Sequence, residues 1–140
     1  MFVDTNVLVY ATQVTSPHRA AARTALRDHT KGRARLRLSR QILREYLAVV
    51  TRPQLFANPI TMAEALADVE RFAAAFEVLE DGPEVGVRLA ELCRSVAVAG
   101  RQVHDANIVA TMLANGEARL LTANRGDFQR FVPRIEIVGL

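Results

Sequence analysis

The stretch that decides the fold is MFVDTNVLVY at residues 1–10, where Asp4, Thr5 and Asn6 interrupt two apolar runs. Short apolar runs then alternate with helical periodicity along the chain, which predicts an α/β fold with a central, mostly parallel sheet. Strands are predicted at the segments FVD (2–4), RLRL (35–38), FEVL (76–79), ARLLT (118–122) and RIEIVG (134–139). Asp4 then ends the first strand, at the edge of an open α/β sheet where ligands bind.

The predicted helices have recognisable ends. Thr61 and Glu64 form a capping-box pattern, Ser39 opens a second helix, and Gly116 closes a third in the manner of a left-handed C-terminal residue. The apolar stripe after Thr61 has two open interpretations, internal core or interface with another chain, and comprises Met62, Leu66, Val69, Phe72, Ala73 and Phe76.

The bulk composition is that of one globular domain over residues 1–140, with 50% hydrophobic and 24% charged residues. No apolar run approaches the roughly 18 residues of a membrane span, and the N-terminal pattern is not that of a signal peptide, so a cytoplasmic protein is expected. Cys93 is the single cysteine, which excludes an intrachain disulfide and a zinc site built on thiolates. We expect Cys93 to be a small core residue.

Basic residues are concentrated in one part of the chain. Residues 19–52 contain ten Arg or Lys against two acids, whereas residues 53–91 contain eight acids against two Arg. The basic block is either a phosphate-binding surface or a solvated face in an arginine-rich protein. The candidate RNA-binding residues are Arg19, Arg23, Arg27, Arg33, Arg35, Arg37 and Arg40.

Four carboxylates follow predicted strands or lie on predicted helices. Asp4 ends the first strand, Glu45 lies among apolar residues of a helix, Asp105 begins a helix, and Asp127 follows the strand LLT. Because the carboxyl ends of parallel strands share one edge of the sheet, these acids are expected to converge. Clustered carboxylates need a compensating hard cation such as Mg²⁺ or Mn²⁺, and such a site suits phosphodiester hydrolysis.

Each acid also has a purely structural interpretation. Asp4 and Asp105 are good helix caps, Asp127 suits an Asx turn, and Glu45 can pair with Arg44 or Arg52 at the surface. It is the set of four that favours a metal site. His104 is interpreted as a packing or substrate-contacting residue, because hard cations prefer oxygen ligands.

Four segments resemble, in order and spacing, the signature segments of PIN-domain ribonucleases, most closely VapC-type toxins of bacterial toxin-antitoxin pairs. They are FVDTNVLVY (2–10), SRQILREYLAVVTRP (39–53), HDANIVATMLANG (104–116) and LLTANRGDF (120–128). The resemblance implies a three-layer α/β/α fold, a Mg²⁺ or Mn²⁺ site, and endonucleolytic cleavage of single-stranded RNA regions. It also implies a homodimer and a cognate VapB-type antitoxin. The leading hypothesis for the target is a structured RNA such as tRNA or ribosomal RNA.

The resemblance gives roles to individual residues of this chain. Asp4 and Asp105 are similar to direct metal ligands, Glu45 to a ligand or the orienter of a metal-bound water, and Asp127 to the fourth acid. Residues similar to those that hold the carboxylates by hydrogen bonds are Thr5, Asn6, Thr122 and Asn124.

Two other functions fit parts of the pattern. A PIN-like module that binds nucleic acid or a partner without cleaving would have no need for four convergent acids. A phosphatase with an aspartate nucleophile usually has a second Asp two residues after the first, where this chain has Asn6. The sequence therefore favours the metal-dependent ribonuclease.

Overall fold

The computed structural model describes residues 1–32, 35–53 and 59–140, and the predicted RNA-binding residue Arg33 lies outside these ranges. Five parallel strands form one sheet in the order β3-β2-β1-β4-β5. The strands are β1 (Phe2–Val3), β2 (Arg37–Ser39), β3 (Glu77–Leu79), β4 (Arg119–Leu121) and β5 (Glu136–Val138). All five lie within the predicted segments, except that β2 continues one residue further, to Ser39, so the predicted strands and the parallel sheet are confirmed.

The helices lie between these strands. They are α1 (Thr5–Thr12), α2 (Arg19–Lys31), α3 (Arg40–Val50), α4 (Met62–Ala75), α5 (Pro83–Ser95), α6 (Gln102–Ala114) and α7 (Arg125–Phe128), which continues into a 3-10 turn at Gln129–Phe131. The predicted helix ends are confirmed: Thr61 and Glu64 form a capping box, the Ser39 hydroxyl accepts from the Ile42 amide, and Gly116 has a φ of 67°.

The strand order determines which helices share a face of the sheet. From β1 the chain moves outward through β2 to β3, and then returns to the other side of β1 through β4 to β5. Because parallel crossovers are right-handed, α1 to α4 cover one face and α5 to α7 cover the other. This arrangement is the predicted three-layer α/β/α fold. The direction of winding changes between β1 and β4, which places a crevice at their carboxyl ends.

The core is centred on β1, the middle strand of the sheet. Phe2 and Val3 are fully buried, and Leu38, Leu120 and Leu121 of the flanking strands are equally inaccessible. The buried β1 carries the chain directly into α1, so the residue between them, Asp4, is held at the edge of the core.

Two expectations about apolar residues are changed by the structure. Cys93 is exposed rather than in the core, because the buried side of α5 is formed by Val85 and Leu92. On α4, Met62 and Leu66 are 51% and 46% exposed, whereas Val69, Phe72 and Phe76 of the stripe pack against the core. Within the described ranges, the helices include none that is both long and apolar enough to cross a membrane.

Candidate active site

A cleft of about 720 Å³ contains all four predicted carboxylates in its wall, Asp4, Glu45, Asp105 and Asp127. Asp4 follows β1, Glu45 lies on α3, Asp105 is in the first turn of α6, and Asp127 is in the first turn of α7. Segments up to 123 residues apart in sequence therefore contribute acids to one site. The expected convergence is present at the crevice between β1 and β4.

Asp4 is the most deeply buried of these acids, with 5% of its surface exposed. Its Oδ2 accepts hydrogen bonds from Asn6 Nδ2 at 2.5 Å and from Thr122 Oγ1 at 2.6 Å. Asn6 also donates to Thr122 Oγ1 and accepts from the Ala123 amide. Asp4 occupies the position before α1 but its side chain makes no capping bond to that helix, so its fixed carboxylate is left to face the cleft.

Glu45 is held by a second polar network. Its Oε2 accepts from Thr5 Oγ1 and its Oε1 accepts from Gln41 Nε2, both at 2.7 Å. The Gln41 amide also donates to the backbone carbonyl of His104 at 3.0 Å and accepts from Asn107 Nδ2 at 2.8 Å. Gln41 thus ties α3 to α6 while it orients Glu45.

Gln41 and Asn107 were not predicted from the sequence as site residues. The available signal concerned Gln41, which precedes Glu45 by one helical turn, whereas a residue two positions after Asp105, such as Asn107, does not share its helical face. The bond between their two amides joins separate helices, and no local pattern indicates that.

Asp105 and Asp127 are more accessible than Asp4. Asp105 is half-buried and lies one turn into α6 rather than at its cap, because the helix begins at Gln102. Asp127 is exposed at the rim, where its carboxylate accepts from the side chain of Asn124. Asn124 in turn donates its backbone amide to Thr122 Oγ1 at 3.0 Å, which connects Asp127 to the network around Asp4.

The cleft strongly disfavours its own negative charge. Burial, which is the largest cause, and the carboxylates of Glu45 and Asp105 together raise the pKa of Asp4 from 3.8 to about 6, against the hydrogen bond from Thr122. Burial, Asp127 and Glu45 also raise the pKa of Asp105 to about 6. A cation in the cleft would relieve this cost.

The chemistry of these donors fits a hard divalent cation. All four acids offer oxygen, and Mg²⁺ typically takes one or two carboxylates and keeps several waters. In the ranges that the structure describes, no three Asp, Glu, His or Cys side chains are already gathered to hold a metal ion. Mg²⁺ does not need all of its ligands from the protein, because waters fill part of its coordination, so these carboxylates are still suited to bind it.

Two guanidinium groups, of Arg52 and Arg101, also line the cleft. Both are exposed, and neither forms an ion pair with a carboxylate in the described ranges. Arg52 lies two residues beyond the end of α3, the helix that carries Glu45, and Arg101 is the N-cap of α6, the helix that carries Asp105. Neither was among the predicted RNA-binding residues.

The described arginines that were predicted to bind RNA lie outside this cleft. Arg19 and Arg23 line a separate groove beside Asp68, and Arg27 lies near Asp28. At the other end of the basic block, Arg35 and Arg37 pair with Glu77, and Arg40 makes two 2.7 Å bonds to Glu80. Arg35 and Arg37 lie where β2 begins, at the edge of the sheet opposite the acids.

Comparisons with known proteins agree with this geometry. Residues 1–132 match the family model of the PIN domain. Ribonuclease VapC43 of Mycobacterium tuberculosis is 31% identical over 131 residues, which cover 92% of this chain and 88% of the relative. VapC ribonuclease Mb2897 of Mycobacterium bovis matches to the same extent.

Solved structures share the fold at lower sequence identity. VapBC2 from Rickettsia felis, bound to a DNA fragment from its promoter, is 18% identical with a TM-score of 0.72, covering 99% of this chain and 97% of that chain. Mycobacterium tuberculosis VapC20, a toxin that cleaves the sarcin-ricin loop, is 18% identical with a TM-score of 0.69 and covers 94% of both chains.

Proposed function

This chain belongs to the PIN-domain family, and from that premise we propose that it is the endoribonuclease toxin of a type II toxin-antitoxin pair, hydrolysing phosphodiester bonds of a structured RNA with Mg²⁺ or Mn²⁺. The observation that carries the proposal is the convergence of Asp4, Glu45, Asp105 and Asp127 in one cleft. The curated relatives are named as ribonucleases, which supports the same reaction class.

The proposed metal would be held by Asp4 and Asp105, with Glu45 and Asp127 as further ligands or as acceptors for water. When bound, the cation supplies Lewis-acid stabilisation of the phosphoryl oxygens and a lowered pKa of water. The protein contributes orientation, because Asn6 and Thr122 fix one oxygen of Asp4 and leave the other for the cleft. Such supporting bonds are typical around metal ligands.

The remaining polar residues extend this support. Thr5 fixes Glu45, and Asn124 fixes Asp127. Glu45, in the wall of the cleft, is held by two donors, one on each carboxylate oxygen, and would orient a water there. The four predicted supporting residues therefore each contact a carboxylate of the site, directly and through short bonds.

RNA phosphates would be attracted to this negative cleft by Arg52 and Arg101. Both are cationic and unpaired with acids in the described ranges, and both lie beside a catalytic carboxylate. Guanidinium groups bind phosphate through paired hydrogen bonds, so these two arginines are suited to hold the backbone at the metal. The described arginines that were predicted to bind RNA, such as Arg19, Arg23 and Arg35, would contact RNA only further from the acids.

We also propose two protein partners, a cognate VapB-type antitoxin and a second copy of the chain. Several structural neighbours are VapBC complexes, including those from Rickettsia felis and Salmonella typhimurium. The exposed Met62 and Leu66 on α4 supply apolar surface for one of these contacts.

The proposal is tested with purified protein and a labelled pool of cellular RNAs. Cleavage is expected in Mg²⁺ and not in EDTA, and Asp4→Asn should abolish it. Glu70→Gln is the matched control, because Glu70 is an exposed acid on α4 outside the cleft. If the wild type leaves every RNA intact in Mg²⁺ and in Mn²⁺, the nuclease function is wrong and a non-cleaving binding module replaces it.

A further inference from the structure

A second cleft of about 490 Å³ adjoins the acidic cleft and has no role in the chemistry described above. It lies between α3, α5 and α6, and residues of all three helices line it, among them Arg44, Leu89, Val103, His104 and Asn107. Its volume lies within the range of roughly 300 to 1,000 Å³ that is usual for ligand sites.

The two clefts meet at Glu45, which lines both of them. The shared wall is rigid, because Gln41 bonds to Glu45, to the His104 carbonyl and to Asn107. A polymer whose phosphodiester lies at the acids can therefore continue past Glu45 into the second cleft without leaving the protein surface.

Two basic side chains of the second cleft, Arg44 and His104, can donate hydrogen bonds to a phosphate. Arg44 and His104 are exposed, and neither forms an ion pair with an acid in the described ranges. The acids nearby are Glu45, which accepts from Thr5 and Gln41, Asp81, which accepts from Asn107, and Asp105, which follows His104 in the chain. The imidazole and guanidinium groups remain available as donors to a phosphate.

The cleft also offers apolar surface beside these donors. Val103 is 37% exposed, and Leu89 is half-buried next to it. A base that is not paired in a duplex has apolar faces, which such side chains can cover, whereas its sugar and phosphate face the polar side. The NH2 group of Asn107 donates to Gln41 and Asp81, which leaves its side-chain carbonyl oxygen for a polar contact at the margin.

We propose that this second cleft holds the RNA nucleotide adjoining the cleaved phosphodiester, with Arg44 and His104 at its phosphate and Leu89 and Val103 at its base. The inference rests on the proposed ribonuclease function, since it names where the substrate strand continues. Arg44 is a positioning residue for the strand and has no contact with the reacting atoms.

The first experiment measures binding without cleavage. Proteins carrying Asp105→Asn are titrated into a fluorescent single-stranded RNA of about 12 nucleotides, a length within the usual range of single-strand sites, at several KCl concentrations. Arg44→Ala should raise Kd about tenfold and reduce the slope of log Kd against log salt by about 0.7, the value for one phosphate contact on a single strand. Arg44→Lys should recover most of the loss.

The matched control is Arg94→Ala, because Arg94 is an exposed arginine of α5 that does not line either cleft. If Arg44→Ala and Arg94→Ala give equal Kd values and equal salt slopes, the second cleft does not hold RNA, whatever the cleavage assay shows. If Arg44→Ala instead changes the sedimentation mass of the protein, the cleft is a contact between copies of the chain and the inference is overturned.

The second experiment uses protein that retains Asp105 and can cleave, together with RNA substrates shortened from either end. Arg44→Ala should raise KM with little change in kcat, and removing nucleotides on one side of the cut should abolish that difference. A KM difference that survives shortening on both sides contradicts the inference. A wild type that cuts no RNA, although Arg44 still contributes to binding, refutes the nuclease function and supports the cleft as an RNA site.

Discussion

Replacing Asp4 with Asn tests whether the cleft is destabilised by its own charge. Both hydrogen bonds received by Asp4, from Asn6 and Thr122, go to the same oxygen, Oδ2. An asparagine at this position can place its single carbonyl oxygen there and keep both bonds. The substitution therefore removes the negative charge with little change in packing.

The magnitude follows from the pKa of Asp4, which is raised from 3.8 to about 6. A difference of about two pKa units corresponds to about 3 kcal/mol at about 1.4 kcal/mol for each unit. Because the folded state binds this proton more tightly than the unfolded state, the ionised carboxylate destabilises the fold above pH 6, and this penalty disappears as the pH falls towards 4. We expect Asp4→Asn to stabilise the metal-free protein by about 1 to 3 kcal/mol at pH 8.

The assay is urea unfolding of wild type and Asp4→Asn in EDTA at pH 8 and at pH 4.5, followed by circular dichroism. The stability difference should be largest at pH 8 and small at pH 4.5. Adding Mg²⁺ at pH 8 should stabilise the wild type more than the variant, since a ligand that binds only the folded state raises its stability. Glu70→Gln, at an exposed position, should change stability little at either pH.

The reasoning is refuted if Asp4→Asn is less stable than the wild type at pH 8 without metal. That result would mean that the Asp4 charge stabilises the fold, as a carboxylate at the start of a helix does. A stability difference that is equal at both pH values would separate the effect from ionisation and would also contradict the argument.

Three further predictions concern individual contacts. Tyr46→Phe should lower the free energy of unfolding by about 1 to 3 kcal/mol, because the buried Tyr46 hydroxyl donates to Asp68 at 2.6 Å; unchanged urea unfolding would contradict this. Gln41→Ala should weaken Mg²⁺ binding or cleavage about 10- to 100-fold, because Glu45 loses one of its two hydrogen-bond donors. If the variant and the wild type have the same Mg²⁺ affinity and the same kcat/KM, this prediction is wrong. Gly116→Ala should destabilise the folded protein by about 1 to 2 kcal/mol, because residue 116 has a positive φ. Thermal unfolding measures this effect, and an unchanged Tm would contradict it.

The elements of the sheet could be predicted because their signals are local. Each strand is a short apolar run, and the helix ends at Ser39, Thr61 and Gly116 have residue types that serve those ends. The position of Asp4 after a buried strand was visible for the same reason. In a parallel sheet all strands run in the same direction, so their carboxyl ends necessarily lie at one edge.

The rest depends on contacts between distant elements. On α4 the buried face includes Asp68, whose carboxylate accepts from Tyr46 of α3, so Met62 and Leu66 face outward instead of continuing the core. Hydrophobic periodicity in the sequence cannot predict this orientation of α4, because it assigns an acidic residue such as Asp68 to the exposed face. The same limit hid Gln41, whose buried amide bonds to two residues of a distant helix, His104 and Asn107 of α6.

The acids can be interpreted as helix caps or as metal ligands. Both interpretations follow from the position of three of these acids near helix N-termini at the carboxyl edge of the sheet. Helices that follow parallel strands begin at the carboxyl edge, where their positive dipole ends face the cleft. Asp4 immediately precedes α1, and Asp105 and Asp127 are in the first turns of α6 and α7, so these three carboxylates are partly compensated before any cation binds. Glu45, five residues inside α3, lacks that position and receives two side-chain hydrogen bonds instead. Because the dipoles and hydrogen bonds compensate only part of the charge, the pKa values of Asp4 and Asp105 stay raised, and a cation retains a favourable place in the cleft.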